Sequence, residues 1–140
     1  MTRWLLDTSI VSDAVQKTPN PAIARWLSAQ YDQSLFISAL TLAEIARGIL
    51  EVPAGARRTR LMAWFSGSTG PAHLFAGRIL SFDAAAAEVW AALMADGKRR
   101  GRPRDALDTI IAAIAVANGC TVVTRNVRDF DGVPVFDPAV

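Results

Sequence analysis

The chain is poor in the residues that build redox frameworks and soft-metal sites. Its 140 residues include one cysteine, one histidine and one tyrosine. Cys120 alone cannot form a disulfide within the chain, which suits a reducing cytoplasm. Between a glycine and an apolar run, it is expected to be a buried, inert thiol. With no cluster of His and Cys, a zinc site is not expected. His73, alone in PAHLFAG, reads as structural or incidental. Long apolar runs are missing too. The longest, Ile110 to Ala117, falls far short of a membrane span. The apolar start is too short for a signal-peptide core and lacks a cleavage site. Repeats and low-complexity linkers are also absent. No membrane partner is expected, and the cytoplasm is the expected location.

What is present is ordinary globular material, 51% apolar and 20% charged, enough to bury a core. Residues 1–140 are expected to form a single domain. The net charge is only +2, but it is unevenly placed. Lys98, Arg99, Arg100, Arg102 and Arg104 crowd into KRRGRPR, and Arg57, Arg58 and Arg60 form a smaller group. A basic stretch of this kind either contacts an anionic partner or is a solvated connection.

Apolar patterning predicts short strands at Trp4–Leu6, Ser34–Ile37, Ile79–Phe82, Thr121–Thr124 and Val133–Phe136. Helices are predicted at Thr8–Val15, Ala22–Ala29, Ala43–Leu50, Arg57–Phe65, Ala84–Lys98 and Ala106–Asn118. Asp83 is placed to cap the fifth of these, and Gly119 to stop the last. SGSTGP (66–71) reads as a loop. Wholly apolar strands separated by helices imply a mostly parallel sheet of 4–5 short strands covered on both faces. The expected fold class is therefore α/β, a three-layer α/β/α sandwich. In such folds ligands bind beyond the carboxyl ends of the strands.

Asp7 stands at one such end, directly after Trp4-Leu5-Leu6. A carboxylate there is costly unless it has a partner. Taken singly, each acid has a bland explanation. Asp7 can cap the following helix. Thr41-Leu-Ala-Glu44 fits a capping box. Asp108 suits the first turn of a helix whose cap is Asp105, and Asp129 suits a turn. Taken together they mean more. Asp108 leads DTIIAAIAVA, a helix with almost no polar face, so it lies close to the core. Glu44 has similarly apolar neighbours. At ~4 Å and an effective dielectric near 20, one like-charged pair costs about 4 kcal/mol. Either protonation or a divalent cation relieves that cost, and an all-oxygen site suits Mg²⁺ or Mn²⁺.

LLDTSIVSD, SALTLAEIARG, DALDTIIAAIAVANG and TVVTRNVRDF, in this order, resemble the PIN-domain ribonucleases. The resemblance is nearest to the VapC and FitB-type toxins of bacterial type II toxin–antitoxin pairs, and AGRILSFD (76–83) also resembles the FitB branch. Each fragment is loose alone; four in sequence are specific, and they cover essentially the whole chain. The resemblance implies a PIN-like fold and Mg²⁺-dependent (or Mn²⁺-dependent) endonucleolytic hydrolysis of RNA. It makes Asp7, Glu44, Asp108 and Asp129 the catalytic acids, with Asp7 and Asp108 as direct metal ligands. Glu44 is then a general base or a holder of water, and Thr8 a partner of Asp7 or of a water. The family often has an acid directly after Thr-Arg; here that position is Asn126, whose carbonyl can still ligate or orient a water. The products implied are a 5′-phosphate and a 3′-hydroxyl. The implied partners are RNA, a cognate antitoxin and a second copy of the chain. Arg99, Arg100 and Arg102 are candidates for contact with RNA or antitoxin.

Other classes share some of these residues. A PIN fold that binds an antitoxin or nucleic acid without cutting it is one, and Asn126 leaves room for it. A housekeeping PIN nuclease is another. A dehalogenase-type phosphatase is disfavoured because Ser9 stands where that motif needs its second acid. A receiver domain lacks its acidic pair.

Overall fold

Successive side chains of a strand point to opposite faces of its sheet, and here that alternation divides the core in two. In the computed structural model, which describes residues 1–140, five strands line up in the order β3-β2-β1-β4-β5. They are β1 (Arg3–Leu6), β2 (Leu35–Ser38), β3 (Ile79–Leu80), β4 (Cys120–Val123) and β5 (Val135–Phe136). Every pairing is parallel. β1 is central, and its Leu5 lies opposite both Phe36 and Val122.

Leu5 and Val122 point to one face, where they meet Ile111, Ala112, Ile114 and Ala115 of α7 (Ala106–Ala117) and Ala86 of α6 (Ala84–Arg99). Leu6, Val123, Leu35 and Ile37 point to the other. There they pack on α1 (Thr8–Asp13), α2 (Pro21–Ser28) and α3 (Ala39–Leu50) through Ile10, Val11, Ile23, Ile45 and Ile49. The helices α4 (Ala56–Ser66) and α5 (Pro71–Leu74) close this second layer, and Phe75 enters it just after α5. The result is the expected three-layer α/β/α arrangement. Because α7 is sandwiched between the sheet and α6, its residues from Ile111 to Ala115 are all buried. Truncating one of these, Ile114→Ala, is expected to cost about 2–5 kcal/mol.

Local chemistry sets the element ends. Asn20 accepts from the Ala22 and Ile23 amides at the start of α2, with Pro21 in the first turn. Asp83 accepts from the Ala86 amide at 3.0 Å. Gly119, at φ +65°, ends α7 in the left-handed region and sends the chain straight into β4. The tryptophans pack rather than form an exposed row. Trp4 and Trp26 meet edge to face with centroids 5.1 Å apart, and both touch Phe136. Trp90 donates its indole N–H to the Ala106 carbonyl, tying α6 to the start of α7. Cys120 is buried as expected, and burial pushes its thiol pKa up, against a smaller opposing effect of Arg3.

Some boundaries differ from the sequence reading. The proposed capping box at Thr41 and Glu44 does not form. α3 begins earlier because Ser38, leaving β2 in an extended conformation, is its cap and accepts from the Thr41 amide at 3.0 Å. That places Thr41 inside the helix and frees Glu44 for another partner. One short helical turn, α5, occupies a stretch read as loop, and His73 is exposed on it. α1 stops at Asp13, and β3 ends at Leu80 rather than Phe82. No helix is long and apolar enough to cross a membrane.

Candidate active site

β1 and β4 are hydrogen-bonded neighbours, so whatever follows them emerges at one edge of the sheet. Asp7 follows β1 directly and Thr124 follows β4 directly. The Asp7 amide still bonds the Val123 carbonyl at 2.9 Å, which continues the ladder and fixes the side chain. The Asp7 carboxylate is buried and accepts three hydrogen bonds. Oδ1 takes the Thr8 amide at 2.8 Å; Oδ2 takes the Thr124 hydroxyl at 2.8 Å and the Ser9 hydroxyl at 3.2 Å. Thr124 is itself fully buried, and its oxygen accepts the Asn126 amide at 3.0 Å. Asp7 is thus both a helix cap and a clamped acid. The capping explanation and the functional one describe the same residue.

Thr8 forms the second link. Its hydroxyl donates to Glu44 Oε1 at 2.6 Å, and it lies 3.2 Å from the Thr41 hydroxyl. Thr41 is fully buried and is reached in turn by the Ser38 hydroxyl at 3.2 Å. A chain of hydroxyls therefore runs from β2 to Glu44, and Thr8 joins that acid to the neighbourhood of Asp7. The structure brings together residues separated by 36 positions in sequence.

Asp108 completes the approach from the opposite side. It lies in the first turn of α7, whose cap Asp105 accepts the Asp108 amide at 2.8 Å. Asp108 is half-buried, and its pKa is raised from 3.8 to about 6. Burial is the largest cause, followed by the charges of Asp105, Asp7, Asp129 and Glu44. All the acids singled out in the sequence therefore act on one carboxyl. Asp129, exposed on a 3-10 turn (Val127–Phe130), acts on Asp108, whereas the Asn126 side chain is exposed and makes no cap bond to that turn.

No group of three or more Asp, Glu, His or Cys side chains is arranged so that it alone holds a metal ion. The donor set is nevertheless the right kind for a hard cation. Mg²⁺ characteristically keeps several waters and is bound through one or two carboxylates rather than by an all-protein cage. Asp7, pre-ordered by three donors, and Asp108, with its charge opposed on several sides, fit that requirement.

Several contributors escaped the sequence reading. Thr124, Thr41, Ser9 and Ser38 hold the acids, and Asp105 adds the largest neighbouring charge to Asp108. The signal for Thr124 and Ser38 was present: each is a hydroxyl directly beyond the apolar end of a strand, as Asp7 is a carboxylate beyond one. Of the basic candidates, Arg100 and Arg102 border a cavity beside Asp105 and Asp129. Arg99 is exposed at the end of α6 and does not line that cavity.

This edge-of-sheet convergence of acids is set within a fold that matches the PIN domain family over residues 4–135, and the chain belongs to that family. Within it, the chain is 38% identical to the VapC ribonuclease Y4jK of Sinorhizobium fredii over 136 residues, 96% of each chain. It is 35% identical to the toxin FitB of Neisseria gonorrhoeae, again over 96% of each chain. The solved structure of FitAB bound to a DNA fragment superimposes with a TM-score of 0.91 at 33% identity, covering 98% of this chain and 96% of that one. Fold and family are those that the sequence motifs implied.

Proposed function

We propose that residues 1–140 act as one PIN unit, a divalent-cation-dependent endoribonuclease serving as the toxin of a type II toxin–antitoxin pair. The observation that carries this reading is the approach of Asp7, Glu44, Asp105 and Asp129 to Asp108 at one edge of the sheet. Such crowding raises the cost of the Asp108 charge, which a bound cation would offset. The similarity to a VapC ribonuclease supports the reaction class.

Asp7 and Asp108 would hold the cation, Mg²⁺ or Mn²⁺. When bound, such an ion polarises a phosphoryl oxygen and makes water more acidic. Glu44, oriented by the Thr8 hydroxyl, takes the proton of the attacking water. Asp129 and Asn126 lie exposed at the rim, where they would orient water. The new bond forms at phosphorus and the P–O3′ bond breaks, leaving a 3′-hydroxyl and a 5′-phosphate. The partners in this reading are RNA, a cognate antitoxin and a second copy of the chain, in the cytoplasm. The neighbouring structures, toxin–antitoxin complexes such as FitAB, support the antitoxin.

The test is an assay of the purified chain on pooled cellular RNA, with Mg²⁺, with Mn²⁺ and with chelator. Cleavage that requires the ion and disappears in Asp108→Asn is expected. Equal cleavage with chelator present, or in the variant, would refute the assignment.

A further inference from the structure

Beside the acids lies a second feature, which shares Asp129 with the proposed reaction but whose arginines the reaction leaves unused. A cavity of about 590 Å³ opens between the C-terminal turn of α6 with its following connection and the 3-10 turn at Val127–Phe130. Its walls carry Arg100, Arg102, Arg104 and Arg128. Asp105 and Asp129 also line it, so one end of the cavity borders the group of acids that acts on Asp108.

The arginines are not equivalent. Arg100 pairs with Asp96 at 3.3 Å, and Arg102 lies 3.8 Å from Asp131. Arg104 and Arg128 form no ion pair with any acid of the chain. Arg104 Nε is completely buried and finds no protein acceptor. That nitrogen is closed to solvent, so it is the outer nitrogens of the guanidinium that are left to meet a ligand.

Two glycines make room for this arrangement. At Gly97 a Cβ would lie 2.8 Å from the Arg102 carbonyl oxygen and 3.1 Å from Arg104 Cγ, so α6 and the Arg104 stem pack there without a side chain between them. Gly132 has φ +82°, and a Cβ on it would lie 3.3 Å from Arg104 Nη2. The guanidinium therefore sits against bare backbone. Its donor fork, with that of Arg128 on the other wall, suits the oxygens of a phosphate.

We propose that this cavity, through Arg104 and Arg128, binds a backbone phosphate of the RNA substrate next to the one that is cut. The assignment of that phosphate to RNA rests on the nuclease reading above. The border with the acids favours it, because a strand whose scissile phosphate lies at Asp7 and Asp108 continues past Asp105 and Asp129. Recognition of a phosphate rather than a base makes this contact independent of sequence.

The experiment uses the full chain with Arg104→Gln, Arg104→Lys and Arg128→Gln. Arg128 is exposed, so its replacement leaves the fold intact even if Arg104 contributes to packing. A labelled single-stranded oligoribonucleotide is titrated in chelator, where nothing is cut, across a range of salt. Removing either arginine is expected to weaken binding about tenfold, the loss of one charge-assisted bond. The slope of log affinity against log salt is expected to fall by about 0.7. Arg104→Lys restores the slope but only part of the affinity. With Mg²⁺ present, KM rises while kcat holds, the signature of lost uniform binding. Unchanged affinity and KM in both glutamine variants would overturn the phosphate site and leave the nuclease intact. Arg104-dependent RNA binding without any cleavage would keep the site and sink the nuclease. A tetraglutamate peptide is the competitor. If it displaces RNA at lower concentration than inorganic phosphate does, the cavity belongs to an acidic protein segment and the proposal fails.

Discussion

Asp7, at the end of β1, and Asp108, at the start of α7, carry the same carboxyl group in two different settings. Asp7 is the more buried, yet its charge is met by an amide and two hydroxyls. Asp108 is half-buried, and burial first, then the charges of neighbouring acids, push its pKa up to about 6. The two acids thus differ in what meets their oxygens: three donors at Asp7, other carboxylates around Asp108. The strand-end acid is held by donors, and the helix-start acid is left to want a counter-charge.

The sharpest way to break this contrast is to remove each carboxylate in turn. Asp7→Asn and Asp108→Asn are both expected to abolish RNA cleavage while the protein still folds, as followed by circular dichroism. Their effects on stability are expected to have opposite signs. Asp7→Asn loses stability, because its new amide donates where Oδ2 accepted from two hydroxyls. Asp108→Asn gains stability at pH 7 in the absence of a cation. For Asp108 the folded-state value, about 6, lies above the unfolded one, near 3.9. The native state therefore binds the extra proton between those values, and wild-type stability falls as pH rises from about 4 through about 6. Asp108→Asn lacks that fall, so the two melting curves converge below pH 4. Equal pH slopes in both proteins would show that Asp108 is not strained.

A smaller effect is expected outside the acids. Thr124→Val leaves Asp7 Oδ2 and the Asn126 amide each short of a partner. It should destabilise the fold by roughly 1–3 kcal/mol in chemical unfolding, and lower cleavage by about 10–100-fold, as loss of an outer partner of a metal ligand does. Addition of Mg²⁺ tests the same contrast without mutation. It should raise the melting temperature of the wild type at pH 7 more than that of Asp108→Asn, and flatten the wild-type pH dependence. The smallest effect belongs to His73→Ala, on exposed α5, which should change stability by no more than about 0.5 kcal/mol and leave cleavage untouched.

Much of the fold was legible because its signals are local. The apolar triplets Trp4–Leu6 and Thr121–Val123, the apolar run of α7 and the punctuation of Asn20, Asp83 and Gly119 each specify an element from a few neighbouring residues. The acids were legible as a set through the motifs, less so as a geometry. Thr41 and Glu44 fitted a capping box by spacing, yet Ser38 took the cap, and only Thr8 from another element gave Glu44 its partner. Arg104 read only as one member of a basic run that either contacts an anionic partner or is solvated, because the glycines that seat it lie at positions 97 and 132.

The order of strands and helices, the presence of four acids near their ends and the family were written in the chain itself, since periodicity, capping and motif are short-range properties. Which hydroxyl holds which carboxylate, which acids surround Asp108, and how Arg104 comes to lie in a cavity beside them were decided by the parallel sheet. It sets the ends of β1 and β4 side by side and brings residues from distant segments within a few ångströms, where electrostatic energies become large.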